Sequence, residues 1–263
     1  MHHIEKKTDY ECRDIEEYKG DMILRKILIT NDDGIEADGI IRLAKTALKF
    51  GEVWVVAPSD QRSAVSHAIT LRETIEVKPH DFPVKGVKAF ACSGTPADCV
   101  RVGILAVMPE KPEVVLSGIN NGYNVASDIQ YSGTAAAAFE AAFQKCRGIA
   151  LSEQVNACHD ITDRYLEEVL AEYIEKDLDL DRNSIVNINF PGGKVSEYKG
   201  IKVGPKVAGD SFFRDGYDKV EEKEDGTIVY KVNGVYNEDA APDTDFRAVV
   251  DKYISVGIVK NIM

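Results

Sequence analysis

The order strand, helix, strand at the start of the folded chain constrains the architecture more than any other feature. Residues 23–30 (ILRKILIT) form an apolar run that ends in the polar turn Asn31-Asp32-Asp33-Gly34. An amphipathic helix is predicted from about Ala37 to Lys49, with Ile40, Leu43, Ala44, Ala47 and Leu48 on one face. Val53–Ala57 (VWVVA) follows as a short continuous apolar run stopped by Pro58, the pattern of a strand buried on both sides. Two such strands joined by a helix pair in parallel through a right-handed crossover.

The alternation continues. Thr70–Lys78 and Val87–Cys92 read as strands, a hairpin beside the main sheet. Pro96–Val107 reads as a helix, Glu113–Leu116 (EVVL) as a buried strand, and Ser117–Ser132 as a loop. An alanine-rich helix over about Thr134–Gln144, a strand Gly148–Ser152, a helix over about Ile161–Glu175 and a strand Ser184–Asn189 complete the series. From Pro191 glycines, aromatics and alternating stretches such as Gly226–Val232 point to hairpins. The expectation is an α/β fold with a doubly wound, mostly parallel, Rossmann-like sheet over 23–190. An N-terminal extension covers 1–22, and a hairpin-rich region over 191–263 completes the domain and supplies oligomer contacts.

A chain of 263 residues suits one elaborated domain. Its net charge of −12 argues against gripping nucleic-acid duplexes through many phosphates, though not against a small anion met by local positive charge. Cys12, Cys92, Cys99, Cys146 and Cys158 show no zinc-ligand spacing and read as small buried hydrophobes in a reducing compartment. With no apolar run of membrane-spanning length and no signal-peptide pattern, a cytoplasmic location is expected.

In open parallel sheets ligands bind beyond the carboxyl ends of the strands, and three polar clusters fall there. The first is Asn31-Asp32-Asp33-Gly34. Adjacent carboxylates repel unless neutralised, and a hard divalent cation does so through oxygen ligands; a turn plus helix cap accounts for the same residue types. The second is Ser59–Ile69, where Ser63, Ser66 and Arg62 accompany His67, itself read as structural. The third runs from Ser117 to Asn124, with Asn120, Asn121 and Asn124 offering amide oxygens and donors. The loop closes on Tyr131-Ser132-Gly133-Thr134, a helix start whose unpaired N–H groups suit phosphate.

Taken in order, Ile29–Gly34 (ITNDDG), Val55–Pro58 (VVAP), His67–Thr70 (HAIT), Gly94–Val100 (GTPADCV), Leu116–Asn120 (LSGIN) and Tyr131–Thr134 (YSGT) resemble the stationary-phase survival protein SurE family, with Asp243-Thr244-Asp245 recurring later. The resemblance implies a metal-dependent nucleotidase acting on 5′- and 3′-nucleoside monophosphates, with polyphosphate shortening in some members. It implies one magnesium or manganese ion per subunit, held by Asp32, Asp33, Ser63 and Asn120, with Asp32, Asp33 and Asn120 in catalysis. It further implies phosphate contacts from Asn31, Asn124, Ser132, Gly133 and Thr134, and a homodimer or homotetramer formed by exchange of C-terminal segments. Two departures stand out: Ala126 sits where the family often has glycine, and Tyr253–Gly257 replaces its usual strand after the Asp-Thr-Asp. A receiver-like signalling domain would also carry an acidic pair after its first strand, but it would need an aspartate where this chain has Ser117-Gly118. An inactive nucleotide-binding homologue is the other alternative.

Overall fold

The computed structural model describes residues 25–261 except 177, 179, 210–212 and 238. The expected extension over 1–22, the first two residues of the expected opening strand, and Cys12 lie outside the described residues.

The main elements follow the predicted alternation. β1 (Lys26–Thr30), α1 (Asp38–Ala47) and β2 (Glu52–Pro58) come first, then β3 (Val77–Pro79), β4 (Lys88–Cys92) and α2 (Pro96–Val102). Next are β5 (Val114–Asn121), a 3-10 turn over Ala126–Gln130, α3 (Gly133–Phe143), β6 (Arg147–Glu153), α4 (Asp160–Glu175) and β7 (Ser184–Phe190). The remainder comprises β8 (Ile201–Val203), β9 (Phe213–Arg214), β10 (Tyr217–Glu222), β11 (Ile228–Val232), β12 (Val235–Tyr236), α5 (Asp245–Val250) and β13 (Ile254–Lys260). Nine strands make one sheet in the order β3-β4-β2-β1-β5-β6-β7-β13-β8. The six from β4 to β7 are mutually parallel; β3 and β13 join antiparallel to β4 and β7. This is the doubly wound, mostly parallel sheet expected.

Alternation along the strands divides the core. Ile27, Ile29, Val53 and Val55 pack with Ile40 and Leu43 of α1 and Leu166 and Leu170 of α4. Leu28, Val56 and Val115 point the other way, with Cys99 and Val100 of α2 and Ala137 and Ala141 of α3. Each fully buried Ile or Leu contributes about 1.5–3 kcal/mol. Alanines on α3 let its backbone lie so close to β6 that a Cβ on Gly148 would stand 2.1 Å from the Ala138 carbonyl oxygen.

Several elements differ from expectation. Strand Thr70–Lys78 shrinks to β3, because Thr70 gives its N–H and hydroxyl to Asp98 instead of to a ladder. The hairpin β3–β4 is the edge of the main sheet, with β4 parallel to β2. The helix from Pro96 passes into a π-helical turn at Gly103–Val107. Strand EVVL extends through Asn121 after a register shift between Ser117 and Asn120, so the first five residues of the expected loop are strand. Beyond Phe190, β13 and β8 widen the same sheet, while β10–β11 and β9–β12 pair separately. Cys92, Cys99 and Cys146 are buried as expected; Cys158 is exposed, having fallen on the turn before α4. Among the described residues no helix is long and apolar enough to cross a membrane.

Candidate active site

The chain leaves β1 toward β2 and β4 on one side, and leaves β5 toward β6 and β7 on the other. The neighbours β1 and β5 therefore frame the topological switch point, where crossovers diverge and the strand ends open into a crevice. A cavity of about 400 Å³ lies there, and Asp32, Asp33, Ser63, Asn120, Asn124 and Ser132 all line it. Three loops, from positions as far apart in sequence as Asp32 and Ser132, converge on one space. Asn31, Gly133 and Thr134 are not among its lining residues.

Each of those three has a supporting place. Asn31 is fully buried and its amide donates to the Gly34 carbonyl at 2.8 Å, holding the turn that carries the acids. Thr134 donates its hydroxyl to Asp32 at 2.5 Å and directs its N–H to the same carboxylate. Gly133 packs so closely on Asp32 that a Cβ would stand 3.0 Å from that side chain. Asp32 itself is 4% exposed, and burial, with the neighbouring Asp33 charge added, pushes its carboxyl up to about 6 against the Thr134 hydrogen bonds. Asp33 accepts the Asn121 N–H at 3.0 Å.

Ser63 is presented by a loop that is pinned on every side. Left-handed φ values at Ala64 (55°) and Ser66 (51°) turn the chain around it, and Gln61 donates to its hydroxyl at 3.0 Å. Arg62 N–H bonds to the Asp32 carbonyl, and Ser66 N–H to the Tyr131 carbonyl. His67 meets buried Glu140 of α3 at 3.0 Å and stacks on Phe143, so it is structural, as read from the sequence. Despite burial, Glu140 is held below the usual carboxylate range by His67, Gln144 and Arg101. Asp98 likewise closes a capping box with Thr95 while receiving Thr70. The motifs around His67 and Asp98 thus build the frame, not the reactive surface.

On the third loop, the Asn120 amide nitrogen donates to Gly122 at 2.8 Å, leaving its oxygen as the acceptor end. Asn124 is locked by Asn189, Asn187 and Ser152: its N–H meets Asn189 Oδ1, its amide meets Ser152 Oγ, and its carbonyl receives Asn187 Nδ2, each at 2.8 Å. Ala126 adopts φ 54°, which explains why glycine suits this position; alanine here carries a modest strain. Its N–H is caught by buried Asp245, which also receives Ala208, so the Asp-Thr-Asp segment braces the loop. Ser132 caps α3 by accepting from Ala135 N–H at 3.0 Å.

Gln61, Tyr123, Asp128, Tyr131 and Asp215 also line the cavity and were not singled out as site residues. For Asp128 the signal was available, since it lies between Asn124 and Ser132. Its carboxyl is pushed up to about 6, by burial and then by the Asp215 charge. Asp215 follows β9 in the hairpin-rich region.

The donors suit a hard cation: two carboxylates, a hydroxyl and an amide, all oxygen. Among the described residues no group of three or more His, Cys, Asp or Glu gathers as for a metal ion. A buried carboxyl destabilised by its charged neighbour is what a cation at Asp32 and Asp33 would relieve.

A family model described as Survival protein SurE matches residues 27–210. A 5′-nucleotidase SurE of Clostridium botulinum is 41% identical over 234 residues, covering 88% of this chain and 90% of that protein. One from Thermosipho melanesiensis is 38% identical over 232 residues, covering 88% and 89%. The crystal structure of the SurE protein from Aquifex aeolicus superposes with a TM-score of 0.76 at 29% identity, over 90% of this chain and 94% of that one. With its motifs framing the switch point and its length matched nearly end to end, the chain belongs to the SurE family.

Proposed function

We propose that the protein hydrolyses nucleoside monophosphates to nucleoside and phosphate, using one divalent ion held by Asp32, Asp33, Ser63 and Asn120. The observation that carries this reading is the convergence of these four side chains on one cavity at the strand ends. When bound, magnesium or manganese supplies positive charge against the phosphoryl oxygens and lowers the pKa of water at the site. Asp32 and Asp33 provide the negative charge that retains such an ion, and Thr134 keeps Asp32 aimed. Asn124 and Ser132, with the N–H groups at the start of α3, orient the phosphate and stabilise charge as the ester bond breaks. Asn31 and Thr134 act in this reading through the residues they hold.

The same chemistry accommodates 5′- and 3′-phosphates and the ends of polyphosphate chains. A homo-oligomer agrees with the exposed apolar side chains of the β10–β11 hairpin, Tyr217, Val220, Tyr230 and Val232; light scattering on the full chain tests it. A cytoplasmic location agrees with the free thiols of the four described cysteines, Cys92, Cys99, Cys146 and Cys158. A receiver-like domain is not favoured, since Ser117 occupies the position such a domain gives to aspartate.

The test is phosphate release from a panel of 5′- and 3′-nucleoside monophosphates and polyphosphate, with magnesium or manganese and then with chelator. Turnover is expected to need the metal and to vanish in Asp32→Asn. Undiminished turnover in that variant would defeat the assignment.

A further inference from the structure

Hydrolysis of a nucleotide makes one demand that the cation-binding set does not meet. The oxygen that leaves phosphorus belongs to a sugar hydroxyl, a poor leaving group unless it is protonated. Asp128, on the 3-10 turn Ala126–Gln130, lines the same cavity as Asp32 and Asp33, but from the loop between β5 and α3. Asp215 joins the wall from the segment after β9, and Tyr236 of β12 lies close enough for its phenol to feel the Asp128 charge. Tyr236 in turn lines a second, more apolar cavity of about 500 Å³ together with Phe246 and Val249. Tyr123 lines both cavities. Asp128 thus lines the acid-and-amide cavity, which shares Tyr123 with a neighbouring space of the size and character for a base and sugar.

We infer that Asp128 is the general acid that protonates the departing nucleoside oxygen, an assignment that rests on the nucleotidase reading. Water adds its oxygen to phosphorus, and the phosphorus–ester oxygen bond breaks with its electron pair passing to the nucleoside oxygen. The carboxyl proton of Asp128 moves to that oxygen. The products are nucleoside and inorganic phosphate, and the proton shed by the attacking water restores Asp128 through solvent. Burial first, and then the Asp215 charge, favour the protonated form of Asp128, with the Ser127 hydroxyl as the opposing hydrogen bond; Asp32 and Asp33 line the same cavity.

The experiment compares adenosine 5′-monophosphate with p-nitrophenyl phosphate, whose leaving group departs as a stable anion, on manganese-loaded full-length protein. In Asp128→Asn, kcat for the nucleotide is expected to fall on the order of 10²–10⁴-fold, and that for the nitrophenyl ester only a few-fold. The basic limb of the nucleotide pH profile should vanish in this variant. In Asp215→Asn the limb should move to lower pH, because removing a like charge lowers the Asp128 pKa. Asp128→Glu should recover part of the nucleotide activity, and unchanged thermal midpoints exclude misfolding. Equal losses on both substrates, or nucleotide turnover kept within a few-fold, would overturn the assignment. Wild-type protein that cleaves the nitrophenyl ester and spares every nucleotide would instead remove the nucleotidase reading beneath it.

Discussion

Replacing Asp32 by Asn should strengthen the metal-free fold while ending turnover. Asp32 is buried, and that burial, with the Asp33 charge added, pushes its carboxyl from the ordinary 3.8 up to about 6. That rise of roughly two pKa units corresponds, at about 1.36 kcal/mol each, to ~3 kcal/mol. Its sign follows from proton binding. Between 3.8 and about 6 the folded state holds the proton more tightly than the unfolded chain, so stability falls as pH rises through that window. The neutral amide keeps the shape of the side chain and an oxygen for Thr134 while escaping this loss. Urea denaturation in chelator, run from pH 4 to 8 on both proteins, should give matching stabilities at the acid end and a variant advantage of ~3 kcal/mol near pH 8. Adding manganese at about a hundred times its dissociation constant should return ~2.7 kcal/mol to the wild type and little to the variant. Parallel curves across the pH range, or equal stabilisation of both proteins by metal, would refute the argument.

Two further outcomes are expected. Gly118→Ala should destabilise by on the order of 3 kcal/mol or more, because φ is +143° and the new Cβ would lie 2.3 Å from the Leu151 carbonyl oxygen; a thermal midpoint within a degree of wild type would contradict this. A Glu140→Ala and His67→Ala double-mutant cycle should return a coupling of about 1–3 kcal/mol. The manganese needed for half-maximal activity should rise in each single variant, since the loop presenting Ser63 loses its anchor; additive losses with unchanged metal demand would oppose it.

The parallel core was legible because its strands are short unbroken apolar runs and its helices keep a clean apolar face. The candidate site was legible for the same reason: Asp32 and Asn120 follow such runs directly. What escaped was set by partners distant in sequence. Nothing local to Thr70 says that Asp98 will take its N–H, so a β-rich stretch was expected to extend where only Val77–Pro79 does. The extension of β5 through Asn121 depends on pairing with Ser152 and Glu153 after a bulge, which a run of Ser, Gly and Asn does not announce. Asn31 and Thr134, expected as phosphate contacts, are fully buried, with the Asn31 amide donating to Gly34 and the Thr134 hydroxyl to Asp32. Asp215 reaches the cavity from the hairpin-rich region, far in sequence from the acidic turn.

The place of β5 beside β1 also governs when the four proposed ligands can first come together. Synthesis delivers Asp32 and Asp33 early, yet Asn120 arrives only with the strand that inserts next to them, and Thr134, which steadies Asp32, arrives later still. A nascent chain that stops before α3 has the acids without their clamp. Under the proposed reading, an amino-terminal piece that ends before α3 is therefore expected to hold a divalent ion more weakly than the finished fold.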